Sequence, residues 1–145
     1  MQKSQRGRRE LLGRYGRITS WDASVSERAD RPRGRQPSRG SHASIQFEGE
    51  LTEAVNDVTR FMIQVSPTEK PDIGNTDVPN VGAFISIKPI LQGVVDMTEG
   101  HFHQLLTLAA SGRLAWCFVA FTVPYRRSAL IVTTDFNTRP PDEET

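Results

Sequence analysis

Cysteine and long apolar runs are both scarce in this sequence. Cys117 is the single cysteine among 145 residues, so the chain alone can form neither an internal disulfide nor a thiolate metal site. The longest mainly apolar stretch, Leu114 to Val123, is about half the roughly 20 residues of a membrane-spanning helix. An export signal needs a basic start and then an unbroken apolar block, but Gly13-Arg14 interrupts the chain directly after Leu11-Leu12. These absences predict a soluble, cytoplasmic chain with no membrane partner. Catalytic signatures are missing too: there is no G-x-S-x-G elbow, no glycine-rich phosphate loop and no C-x-x-C pair. No motif implies a cofactor.

Charge is present but unevenly placed. Residues 1–44 hold eleven Lys and Arg against four Asp and Glu, a net of +7, whereas residues 45–145 hold seven against thirteen, a net of −6. A basic arm is therefore joined to an acidic remainder. Apolar residues are sparse in the arm, and Arg31 to Gly40 has nothing but prolines to bury. Ordering such backbone costs roughly 1–2 kcal/mol per residue, so residues 1–43 are expected to be disordered. Leu11, Leu12, Tyr15 and Ile18 match one helical face for two turns, enough for a helix induced by a partner. Arg-Gly-Arg at 6–8 and again at 33–35 is the kind of loose basic segment that neutralises phosphates without reading sequence, which makes non-specific nucleic acid a candidate partner of the arm. Glu10, Asp22, Glu27 and Asp30 make it too acidic for an organelle transit peptide.

Past the arm, a strand is expected where Ile45, Phe47, Gly49 and Leu51 alternate with polar residues, and another where Phe61, Ile63 and Val65 do so. The Asn56-Asp57 turn signal between them predicts an antiparallel hairpin. Ser66 to Asn80 carries Pro67, Pro71 and Pro79 and reads as a long loop. Val81 to Lys88 resumes the β pattern, with Pro89 marking its end or a sheet edge, and Ile90 to Val95 is a further short strand. Asp96-Met97-Thr98-Glu99 has the form of a capping box, and Phe102, Leu105, Leu106 and Ala109 form one apolar stripe ending at Gly112. Arg113 to Val123 is apolar at both parities and predicts a strand buried on both faces. Pro124-Tyr125-Arg126-Arg127 then turns it into a second hairpin with Ser128 to Asn137. The expected fold is α+β and mostly β: an antiparallel sheet or small sandwich of about five strands, with one amphipathic helix at about 97–111. The expected division is a disordered basic arm over 1–43, a β-rich globular domain over 44–138 and a disordered acidic tail over 139–145.

Three groups of side chains are candidates for chemistry or binding. Glu99, His101 and His103 would share one face of a strand and could grip zinc or iron there, or one histidine could act as a general base in a small hydrolytic enzyme. On a helix, positions two apart diverge by about 200° and the pair cannot share a metal. Asp72, Asn75 and Asp77 offer oxygen ligands of the kind calcium uses, without the spacing of a calcium-binding helical hand. Tyr125, Arg126 and Arg127 at a hairpin tip join an aromatic face to two guanidinium groups suited to an anion, a phosphate backbone or an acidic partner. Cys117 falls in the most apolar strand and reads as structural. The leading expectation is a non-enzymatic interaction module that binds a protein partner or its own copy through an edge strand or the 66–80 loop.

Overall fold

A computed structural model describes residues 10–30, 34, 36, 38–70 and 77–141. Seven strands and one helix follow in the order β1 (Leu11–Asp30), β2 (Ser38–Val55), β3 (Val58–Thr68), β4 (Gly82–Ser86), β5 (Leu91–Thr98), α1 (Glu99–Ala110), β6 (Trp116–Thr122) and β7 (Ala129–Asn137). The strands close into a barrel in the order β1-β2-β3-β5-β4-β7-β6. All neighbours are antiparallel except β3 and β5, which run parallel from Phe61↔Leu91 to Thr68↔Thr98.

This corrects the expected sheet or sandwich of about five strands. The barrel has no edge at β4, which pairs with β5 on one side and β7 on the other, so Pro89 marks a turn rather than an edge strand. The largest difference lies in the arm. Residues 11–30, expected to lack structure, form β1, and β2 begins at Ser38. The seam that closes the barrel is the pairing of Leu11–Arg17 with Thr122–Trp116.

β1 escaped the alternation test because glycine holds its place in the core. Gly16 is the one buried residue over 11–29 of β1, and a Cβ there would overlap the Phe61 ring. On β2, where Gly49 pairs with Ile18, a Cβ on Gly49 would collide with the Arg17 carbonyl oxygen and again with Phe61. A single aromatic ring thus fills space that two side chains would otherwise occupy, and the strand shows little hydrophobic pattern. Arg14 ties β1 to the end of β2: its Nε and Nη2 donate to the Ala54 carbonyl at 3.4 and 3.3 Å.

Inside, Ile45, Phe47, Ile63, Val65, Phe84, Leu91, Cys117, Val119, Phe121 and Ile131 are all under 2 % exposed, and Phe84 meets Phe121 edge-on at 5.1 Å. The barrel is filled by side chains, as small barrels are. Helix α1 adds Phe102, Leu105 and Ala109 to this core at the end where β5 finishes. Its cap is Thr98, whose Oγ1 accepts from the His101 amide at 3.4 Å; Asp96, expected to be the capping acid, lies within β5 and pairs with Ser66. Among the described residues no helix is long and apolar enough to cross a membrane.

Candidate functional site

Two exposed features stand out, at opposite ends of the barrel. One is a ribbon. β1 leaves β6 after Arg17, and β2 meets β3 only from Ile45 onward. Between these points β1 and β2 have only each other: Ser24↔Ser44 through Asp30↔Ser38 form seven successive pairs, projecting about 20 Å at ~3.4 Å per residue. Among the described residues, no strand pairs with the outer edge of either.

The ribbon has two unlike faces. Trp21, Ala23 and Val25 lie opposite Phe47, Ile45 and Ala43, so they continue the core face of β2 beyond the barrel wall. There they lose their cover: Trp21 is 39 % exposed and Val25 73 %. Farther out on the same face, Glu27 accepts from Arg39 Nε at 3.2 Å and from Ser41 Oγ at 3.0 and 3.1 Å. Exposed ion pairs of this kind contribute about 0–1 kcal/mol, and a lone two-stranded ribbon is at best marginally stable in water.

At the other end lie the β2–β3 turn, the β4–β5 connection and the β6–β7 tip. Asn56, Ser86, Lys88, Pro89, Pro124, Arg126 and Arg127 line an open cleft of about 810 Å³ there, with Ile85 and Ile87. The tip is tight: Tyr125 and Ser128 exchange backbone hydrogen bonds of 2.8 and 3.2 Å, which leaves Arg126 and Arg127 to make the turn at φ +54° and +69°. Both are positive, the geometry of a two-residue hairpin turn that favours Gly, Asn or Asp. Asn56 and Asp57, at φ +49° and +68°, make the equivalent turn with favoured residues. The Arg126 guanidinium carbon lies 5.2 Å from the centre of the Tyr125 ring, a cation–π contact. Among the described residues the ion pairs are Arg14–Glu53 and Arg39–Glu27; the cleft's three cations take part in neither.

The sequence candidates are thus scattered. Tyr125, Arg126 and Arg127 share one exposed tip, and the structure adds Lys88 and Asn56, which sequence reasoning missed. The turn signal at Asn56 and the Pro89 beside Lys88 mark connections but not a shared site; the two reach the cleft only because the barrel closes. His101, His103 and Glu99 are exposed on α1 rather than on a strand, so the two imidazoles diverge around the helix. No group of three or more His, Cys, Asp or Glu able to hold a metal occurs among the described residues. Of the oxygen-ligand trio, Asp77 is exposed, while Asp72 and Asn75 lie outside the described residues with the rest of 71–76; of the loop expected over 66–80, Ser66, Pro67 and Thr68 belong instead to β3 and pair with β5. The Arg-Gly-Arg motif at 6–8 also lies outside them, and of the motif at 33–35 only Gly34 is described.

Cys117 is buried inside the barrel, and burial pushes its thiol up to about 12. It is therefore no nucleophile near neutrality.

No protein-family model, curated protein or solved structure matches this chain.

Proposed function

We propose that this chain is a non-enzymatic interaction module that assembles with further copies of itself through the ribbon of β1 and β2. The supporting observation is the ribbon's incompleteness: an apolar face continuous with the core, led by Trp21 and Val25, is exposed, and among the described residues neither outer edge has a partner strand. Such edges are templates for added strands. Charge supports a second copy as the occupant. Residues 24–44 hold five Arg against Glu27 and Asp30, whereas residues 45–145 carry a net of −6, so the ribbon of one copy is attracted to the barrel of its neighbour.

Light scattering across a concentration series tests this. The full chain is expected to exceed monomer mass and to lose mass as salt rises, because the attraction between copies is screened over about 10 Å at 0.1 M salt. A variant with residues 25–43 replaced by Asn-Gly joins Ser24 directly to its opposite Ser44 and is expected to stay monomeric with a cooperative melt. Val25→Ser/Arg28→Glu changes only exposed positions and is expected to weaken association without altering the melt. A full chain that stays monomeric throughout, or variants that associate as well as the parent, would contradict the proposal.

A further inference from the structure

We infer that the cleft formed by Lys88, Arg126 and Arg127 binds a small molecule bearing a diphosphate and a flat, weakly polar group, that is, a nucleotide. The inference does not depend on the ribbon, which lies at the opposite end of the barrel.

Three features point there. First, the cleft brings one ammonium and two guanidinium groups together, with no carboxylate among its described lining residues. Three positive charges match the roughly three negative charges of a nucleoside diphosphate near neutrality, and guanidinium groups hold phosphate oxygens in pairs. Asp57, next to lining Asn56, is the nearest acidic residue in the chain to that turn, but it is not part of the lining.

Second, the two arginines occupy turn positions where their side chains bring no backbone advantage. Positive φ at both residues favours Gly, Asn or Asp, and the same barrel end makes its other two-residue turn with Asn56-Asp57. Arginine in such positions is a local backbone cost that points to a use for the side chain. Third, the remaining wall is apolar and open. Ile85 is 60 % exposed and stands with Pro89 and Pro124 along the cleft, a surface against which a base can lie. A volume of about 810 Å³ falls in the ordinary range of small-molecule sites.

The test is fluorescence polarisation with mant-ADP at low salt, using the full chain. Saturable binding is expected, displaced by ADP and by inorganic pyrophosphate and much less by adenosine. Arg126→Gly/Arg127→Gly separates the side chains from the fold, because glycine accepts positive φ more readily than arginine. The double variant is expected to melt at a higher temperature than the parent yet to bind mant-ADP at least about tenfold more weakly. Lys88→Met is expected to weaken binding in the same direction. The inference is overturned by absence of saturable binding, by adenosine competing as well as ADP, or by undiminished binding in the glycine variant. Displacement by a roughly 12-nucleotide single strand at far lower concentration than by ADP would also overturn it, making the cleft part of a nucleic-acid surface.

Discussion

Cys117 shows how a single residue reports the interior of this molecule. It is 1 % exposed, on the inward face of β6 where it pairs with Gly16 of β1. Burial outweighs the hydrogen bond from the Gly16 backbone that would favour the thiolate, so the thiol titrates near 12 instead of its usual 9. The sign of the linkage follows. In the unfolded chain the thiol ionises above about pH 9 while the folded chain keeps its proton, so this residue's contribution to stability is full below 9 and is lost progressively as pH rises toward 12. Native protein at about pH 8 is expected to resist a thiol reagent until it unfolds; prompt modification of the folded chain would show that the barrel interior is open. At this scale the sequence was informative: the uninterrupted run around Cys117 predicts burial, and Pro124 ahead of Tyr125-Arg126-Arg127 predicts an exposed tip.

Strands and turns were less evenly legible. The alternation of Ile45–Leu51 in β2 and of Phe61–Val65 in β3 was visible because each places residues such as Phe47 and Ile63 in the core at period two; β6 was visible as an apolar run, although it buries Cys117, Val119 and Phe121 and leaves the expected second buried face, Trp116, Phe118 and Ala120, partly exposed. β1 was not visible, because Gly16 surrenders its core space to Phe61, and a strand whose interior is another strand's ring carries no pattern of its own. Leu11, Tyr15 and Ile18 instead fall at a helical spacing, although Leu11 and Tyr15 lie on the exposed side of β1. Gly49→Ala tests this packing. The new methyl group meets the Arg17 carbonyl as well as the ring, so backbone must move, and the expected loss is about 1–3 kcal/mol in urea unfolding. A loss below about 0.5 kcal/mol, the range of ordinary surface changes, would mean that β1 and β2 are less closely apposed than described.

For the molecule as a whole, the sequence conveyed that the chain is β-rich with one helix, but not that it closes. Closure depends on β1, whose signal is weak, and on the parallel pairing of β3 with β5, which depends on the course of the chain between Thr68 and Gly82 and not on any local pattern. The same closure assembles Asn56, Lys88 and Arg126 into one cleft from three separate connections and removes the edge expected at β4. What remains open is the ribbon, and the central claim is that a second copy completes it. Hydrogen exchange measured at about 1 µM and about 100 µM protein tests this most directly. The alternate amides of residues 24–30 that point away from β2 are expected to exchange freely in dilute protein and to become protected in concentrated protein, while those of β3, β5 and β6 stay protected in both. Ribbon amides that exchange at the same rate at both concentrations would contradict it.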